Sequence, residues 1–333
     1  MGHSPFLESL QSDAFELDRQ RLFLAFAGCI RSGQFHNGKQ ASSKVVEKTL
    51  RDCAQVMVSR GFRDPRRMNR HSEHLDPCFQ TAFRRWRDVD PPPQPELALP
   101  VATVQWVPLV AAAHPTNPAL QAMGDLITLA FFFLLRVGEY TTPSGSRRTI
   151  PLRKQDIQLW RNQTPIPSQA PAALRLQATA VTISLVNQKN GHKNAILHHT
   201  RSLDPVFCPV RAAAARLNAL HDLPAATPIC TWSDNGQRHQ INSRQVIQAL
   251  RMAVVATKLE GFPLSRVGSH SLRASGAMAL KLNGKPDSLI MKLGRWTTNT
   301  FLTHIHAQIG ALTAHVASAM ATPPQFHNVA ATT

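Results

Sequence analysis

The spacing of hydrophobic residues in the first part of the chain predicts three helices. Residues 14–30 carry apolar side chains at the helical period, which is typical of an amphipathic helix with one buried face. A second helix is expected over residues 42–61, between two serines that favour a helix start and a glycine that favours a helix end. A shorter helix is expected over residues 77–87. We therefore expect an all-helical domain over residues 1–89.

The second part of the chain mixes helical and β-type patterns. A proline-rich stretch over residues 90–100 is typical of a semi-rigid linker and separates the two parts. Beyond it, β-type runs over residues 173–186 and 194–200 flank Asn190-Gly191, a pair that favours the tight turn of a β-hairpin. The helical period is expected in seven further segments, over residues 103–113, 117–136, 209–220, 243–259, 271–282, 286–293 and 298–320.

These patterns predict the fold class and the organisation of the domains. We expect a mainly α protein with a small antiparallel β-sheet, which places it in the α+β class. The second domain is expected over residues 101–322, and residues 323–333 are expected to form a disordered tail. A hydrophobic fraction of 43% is sufficient for ordinary packed cores in both domains.

The charge of the chain indicates its class of partner. The 37 Lys and Arg residues outnumber the 20 Asp and Glu residues, which gives a formal net charge of +17. Most of the positive excess lies in residues 99–333, which contain 22 basic and 8 acidic residues. The basic residues are spread through segments of predicted regular structure. Such a surface favours a polyanionic partner, most often nucleic acid. An RNA-binding or ribosome-associated protein would have a similar charge.

Cysteine and apolar patterns indicate the compartment. The five cysteines are odd in number and form no Cys-x-x-Cys pair, which favours a reducing environment over a disulfide framework or a zinc ribbon. The longest apolar run, residues 126–135, is too short to span a bilayer, and no signal peptide is expected. We therefore expect a soluble intracellular protein with no membrane partner.

Histidines give no clear indication of a metal site. His304 and His306, together with His198 and His199, form a loose group in the sequence. No carboxylate or cysteine accompanies them at the spacing of metal ligands, so chance clustering explains the group better. We expect no metal and no small-molecule cofactor.

Four features that carry chemistry follow one another in the basic part of the chain. The first is "LLRVGE", which places Arg136 and Glu139 at the end of a long apolar helix. A buried arginine needs a partner or a ligand, and a structural pair at i, i+3 satisfies that need as well as a ligand does. The second is Lys189, at the tip of the predicted hairpin, where lysines are commonly only solvated.

The third and fourth features lie near the end of the second domain. His270 and Arg273 are three residues apart at a helix start, so both side chains are expected on one helical face, where they can approach one phosphate. In "LGRW", Trp296 can donate an indole N–H. Each of the four features is common by itself. Their occurrence together, in this order, is a more specific signal than any one of them.

In this order and at this spacing, the segments "FFFLLRVGEYT", "NQKNG", "CPVRA", "HSLRASGAM" and "LGRW" resemble the tyrosine recombinase (phage integrase) family. The sequences of these segments are most similar to those of recombinases from eukaryotic mobile elements of the Crypton and DIRS kind. The resemblance covers about residues 100–310. It implies a core-binding, SAM-like DNA-binding domain over residues 1–89 and a recombinase-like catalytic domain over 101–322. It also implies site-specific breakage and rejoining of double-stranded DNA, homo-oligomers (dimer or tetramer) on that DNA, and residence in the nucleus.

The resemblance also implies roles for individual residues. Arg136 and Arg273 would clamp the phosphate, with Glu139 in support, and this agrees with the bidentate geometry in which guanidinium groups bind phosphate oxygens. Lys189 would protonate the departing 5′ oxygen. His270 would assist proton transfer, and Trp296 would add a hydrogen bond to the phosphate.

The nucleophilic tyrosine of the family is the one element that is missing. It is expected eight or nine residues after the Trp position, and in "FLTHI" that place is taken by His304. The single tyrosine of the chain, Tyr140, lies in the wrong element. We favour a chain that binds DNA but is catalytically impaired, including a domesticated DNA-binding regulator. Two alternatives stay open: His304 attacks phosphorus itself, or an intact relative supplies the tyrosine.

Overall fold

The computed structural model describes residues 13–35, 37–68, 74–92, 96–142, 149–187 and 193–297. The chain divides into two compact units, Met1–Pro93 and Gln94–Thr333. The helix expected over residues 298–320, the tail expected over 323–333 and the turn of the predicted hairpin lie outside the described residues. In the described ranges, no helix has the length and apolar character needed to cross a membrane.

The first unit contains the three predicted helices, α1 (Asp13–Arg31), α2 (Ser43–Ser59) and α3 (Pro77–Val89). Their apolar faces meet in a small core that is rich in aromatic rings, with Leu50 and Phe79 fully buried. The Arg31 guanidinium donates to the Asp90 carboxylate, which also accepts the Ser43 N–H at 2.7 Å. The hydrogen bond from Ser43 holds the pKa of Asp90 below its usual range. Asp90, at the start of the predicted linker, is therefore part of this unit.

The second unit is built around one buried apolar helix. α4 (Val101–Ala113), α8 (Pro209–Ala219) and α10 (Ser271–Leu282) pack on α5 (Pro118–Phe132), with α9 (Ser243–Ala256) beside α4. Most residues of α5 are apolar and buried, which explains its central position. The described part of the unit also contains three shorter α-helices: α6 (Val137–Tyr140), α7 (Ala172–Leu176) and α11 (Asp287–Gly294).

Two antiparallel sheets accompany these helices. The larger has the order β2-β1-β3-β4, built from β1 (Ile157–Arg161), β2 (Thr164–Pro165), β3 (Ala180–Asn187) and β4 (Lys193–Thr200). Val181 of β3 lies opposite Leu159 on one side and His199 on the other. Alternate residues of β3, beginning with Val181, are buried against the helices. A separate ribbon pairs β5 (Thr231–Asp234) with β6 (Gln237–Gln240).

The predicted fold class, mainly α with a small antiparallel sheet, is confirmed. Two local predictions are wrong. The helix expected over residues 117–136 ends at Phe132, because Leu134 adopts a left-handed backbone with φ 48°. Arg136 therefore precedes the short helix α6 instead of ending a long one. The strand expected from residue 173 begins with the helix α7, which follows Pro171.

Candidate functional site

The turn between α5 and α6 forms the centre of the candidate site. Leu134 is buried in this turn, and its carbonyl oxygen accepts hydrogen bonds from Arg273 Nη1 at 2.6 Å and Arg295 Nη2 at 3.2 Å. A left-handed backbone at a non-glycine residue costs about 1–3 kcal/mol and persists only where the surroundings impose it. Here the unusual backbone directs one carbonyl oxygen toward two guanidinium groups.

Glu139 is the shared counter-ion of the site. Its side chain is only 1% exposed and lies on α6. Oε1 accepts from Arg136 Nη1 at 3.2 Å, and Oε2 accepts the Arg136 backbone N–H at 2.8 Å. Oε2 also accepts from Arg295 Nη2 at 2.7 Å. The predicted Arg136–Glu139 pair at i, i+3 is therefore present, and a second arginine uses the same carboxylate.

Arg273 is the most constrained of the arginines. It lies in the first turn of α10, is 4% exposed, and donates to the carbonyl oxygens of Leu134 and Gly294. The ring of Trp296 covers its guanidinium, with the Arg273 Cζ atom 4.2 Å from the ring centroid. Burial, followed by the charges of Arg136 and Arg295, lowers the pKa of Arg273 to about 9. The group remains charged at neutral pH.

Arg295 is a member of the site that the sequence reasoning did not single out. It follows α11 with a left-handed backbone, φ 56°, and is 9% exposed. Burial lowers the pKa of its guanidinium, and the charge of Glu139 opposes that shift. The signal in the sequence was its position directly after Gly294, at the end of a predicted helix and beside Trp296. An arginine there, in place of the usual glycine, is uncommon.

His270 precedes Arg273 by three residues, and its contacts include Ser269 and Glu96. It immediately precedes α10, and 62% of its side chain is exposed. Its Nδ1 atom lies 3.1 Å from Ser269 Oγ and 3.9 Å from Glu96 Oε2, and its backbone N–H donates to the Glu96 carboxylate. The imidazole is thus accessible to solvent, whereas Arg273, one turn later, is buried.

The structure therefore brings together most of the described residues that the sequence indicated. Arg136, Glu139, Arg273 and Trp296 meet in one place. His270 is exposed at the start of α10, where its contacts include Ser269 and Glu96. Lys189 and His304 lie outside the described residues. In the part of the chain that the structure describes, no three His, Cys, Asp or Glu side chains are placed to hold a metal ion.

The charge balance of the cluster favours an anion. Arg136, Arg273 and Arg295 bring three positive charges to a site where Glu139 contributes one negative charge. Buried charges that are not neutralised are costly, so this arrangement is most stable when a negatively charged group enters. Planar guanidinium donors are suited to phosphate oxygens.

Tyr140 directly follows Glu139 in the sequence, but its side chain is not part of the arginine cluster. The side chain follows Glu139 on α6 and is 1% exposed. Burial, with a smaller effect of the Glu139 charge, raises the pKa of its phenol above the usual range. The phenol is therefore protonated and shielded, which is unsuitable for a nucleophile.

No protein-family model matches the sequence, and a search of curated proteins finds no match. Solved structures similar to the chain include XerA recombinase, at 13% identity and TM-score 0.42, covering 95% of each chain. A lambda integrase dimer bound to a COC′ core site has 15% identity and TM-score 0.45, covering 92% of this chain and 82% of that one. The Tn1549 transposon integrase with transposon right end DNA has 12% identity and TM-score 0.46, covering 95% and 87%.

Proposed function

We propose that this chain is a DNA-binding protein of the tyrosine recombinase (phage integrase) family, and that this copy is catalytically impaired. The observation that carries the proposal is the cluster of Arg136 and Arg273 with Glu139 and Trp296. Arg136 and Arg273 are far apart in sequence, yet they are connected by hydrogen bonds. Glu139 accepts from Arg136 and Arg295, and Arg295 and Arg273 donate to the same Leu134 carbonyl oxygen. The four residues of the cluster are described members of the series that the family uses to hold a phosphate.

The physical role of the arginines follows from the reaction. Attack on a DNA phosphodiester forms a bond from the nucleophile to phosphorus, breaks the bond to the 5′ oxygen, and increases negative charge on the non-bridging oxygens. Fixed donors aimed at that charge are the largest catalytic contribution in many enzymes, at roughly 3 kcal/mol for each donor. Arg136 and Arg273 supply such donors, and Glu139 holds Arg136 in place.

The remaining roles rest on the resemblance. Lys189 donates a proton to the departing 5′ oxygen, His270 assists proton transfer, and Trp296 adds a hydrogen bond to the phosphate. The resemblance further implies a mobile-element origin, nuclear residence, and a dimer or tetramer on DNA. With histidine at position 304, the phosphotyrosyl intermediate cannot form at that position, so we expect DNA binding without strand exchange.

The proposal is tested by covalent trapping. The unmodified protein and the His304→Tyr and His304→Ala variants are incubated with nicked duplexes tiled from DNA that flanks the gene, and covalent complexes are resolved on denaturing gels. We expect an adduct only with His304→Tyr. An adduct with the unmodified protein that the alanine variant loses would instead make His304 the nucleophile and the protein an active recombinase.

Two further variants connect the adduct to the cluster. In the His304→Tyr background, Arg273→Gln is expected to reduce adduct formation by about a hundredfold or more, because one charged phosphate donor is lost. Arg161→Gln, which changes an exposed arginine on β1, is the matched control and is expected to leave the yield unchanged within about twofold. Absence of duplex binding by the unmodified protein at low salt would contradict the proposal.

A further inference from the structure

We propose that Arg295 is a further ligand of the same phosphate, a third guanidinium that acts beside Arg136 and Arg273. The inference rests on the proposed function, because it concerns the same anion site. It assigns a binding role to a residue that lies outside the set implied by the resemblance.

The first support is a pair of unsatisfied donors. Arg295 Nε and Nη1 are buried and have no hydrogen-bond partner. A buried donor without a partner costs about 1–3 kcal/mol, and more when the group is charged. Unpaired donors in a positively charged cluster indicate an absent acceptor with negative charge.

The second support is the way in which Arg295 is held. Its Nη2 atom is fixed between Glu139 Oε2 at 2.7 Å and the Leu134 carbonyl oxygen at 3.2 Å. Its left-handed backbone occupies a helix-end position where glycine is usual, and a larger residue there costs about 1–2 kcal/mol. Fixed in this way, the guanidinium has lost most of its rotamer freedom before any ligand arrives, so binding an anion costs less entropy.

The third support is the match of charge. Three arginines and one glutamate leave two positive charges in the cluster. A phosphodiester carries one negative charge, and the five-coordinate species formed by attack of an anionic nucleophile carries two. With Arg295 included, the site complements the second species better than the first, which is the requirement for lowering a reaction barrier.

The Trp296 ring packs closely on this site. Arg273 is covered by the Trp296 ring, and a Cβ atom added to Gly294 would lie 1.7 Å from that ring. The ring therefore packs directly against the backbone of Gly294, the residue that precedes Arg295.

The test uses inorganic sulfate, a dianion, as the probe. Sulfate is titrated into the full-length protein at constant ionic strength, and the melting temperature is followed, since a ligand that binds only the folded state raises it. We expect sulfate to stabilise the unmodified protein. We expect Arg295→Gln and Arg295→Lys to weaken the sulfate affinity by about tenfold or more, because hydrogen bonds to a charged group are lost.

The lysine variant keeps the positive charge beside Glu139, so it remains informative if the glutamine variant does not fold. Arg211→Gln, at an exposed position on α8, is the matched control and is expected to behave as the unmodified protein does. Equal sulfate affinity in the unmodified protein and both Arg295 variants would overturn the inference, as would an absence of sulfate stabilisation in the unmodified protein.

Duplex DNA binding, measured separately at low salt, distinguishes this inference from the proposed function. Many phosphate contacts contribute to duplex affinity, so Arg295→Gln is expected to change it by less than about threefold. Failure of the unmodified protein to bind duplexes would contradict the proposed function, whereas the sulfate titration would still decide the role of Arg295.

Discussion

Glu139 determines whether the arginine cluster can exist in the folded protein. One carboxylate, 1% exposed, accepts from Arg136 and Arg295 and lies close enough to Arg273 to oppose the lowering of its pKa. Without that charge, three guanidinium groups would repel each other in a largely buried site. A buried ion pair adds little net stability when intact, but removal of one partner leaves an uncompensated charge.

Glu139→Gln is therefore expected to destabilise the second unit by about 3–5 kcal/mol, measured by urea unfolding. Asp287→Asn provides the control, because Asp287 pairs with Lys281 at 2.6 Å and both side chains are partly exposed. That exposed pair is expected to contribute about 1 kcal/mol or less. If the two variants were equally stable, Glu139 would not be balancing buried positive charge.

At the scale of elements, the site depends on how closely α10 approaches the end of α5. Gly276 of α10 lies against this end: a Cβ atom there would stand 2.4 Å from both the Phe131 carbonyl oxygen and Leu134 Cδ2. The absence of a side chain allows α10 to bring Arg273 to the Leu134 carbonyl oxygen. The separation of two helices thus fixes the position of a charged group.

Gly276→Ala is expected to destabilise the protein by about 1–3 kcal/mol, because an added methyl group in a close-packed contact forces the helices apart. Gly28→Ala is the matched substitution, in α1, where a Cβ atom would meet nothing within 4 Å. There the change is expected to stabilise by about 0.5–1 kcal/mol through helix propensity. Thermal unfolding of both variants measures the contrast, and two shifts of the same sign would argue against the packing explanation.

The sequence predicts long elements better than short ones. The long helices have enough apolar positions for their period to be visible, and β3 and β4 lie on either side of Asn190-Gly191, a pair that favours a hairpin. The strands β1, β2, β5 and β6 are two to five residues long and were missed. Their pairing depends on partners elsewhere in the chain, which local periodicity does not reveal.

The end of α5 shows the same limit at the site. The apolar run continues past Phe132, so local pattern favours a longer helix, while tertiary contacts impose the left-handed turn at Leu134. The resemblance, carried by the order and spacing of the motifs, implies a shared site for Arg136, Glu139 and Arg273. The sequence did not indicate Arg295 as a member of the site, because its role depends on its burial and on its donors without hydrogen-bond partners.

For the whole molecule, charge is the main determinant of the proposed affinity for DNA. A formal net charge of +17, concentrated in residues 99–333, implies affinity for the phosphate backbone irrespective of base sequence. Such affinity arises mainly from the release of counterions, so it depends on the concentration of salt more than on any single contact.

Raising salt from about 50 to 200 mM is expected to weaken duplex binding by about a thousandfold, if six to ten phosphates are contacted. Fluorescence anisotropy with a duplex of arbitrary sequence measures this dependence. Arg273→Gln is expected to reduce the slope of the logarithmic plot by about one phosphate contact at most. An affinity that does not change with salt would exclude binding to the DNA backbone as the main interaction.

The burial of Tyr140 has a consequence for how any covalent complex could be identified. The chain contains one tyrosine, and its phenol is shielded inside the second unit, so no accessible phenol exists in the native protein. A bond between phosphorus and histidine nitrogen is hydrolysed by acid, whereas an aryl phosphate ester survives the same treatment. An adduct formed by the native chain should therefore disappear on brief acidification. An acid-stable adduct would mean that DNA binding had exposed Tyr140 or engaged a hydroxyl group elsewhere.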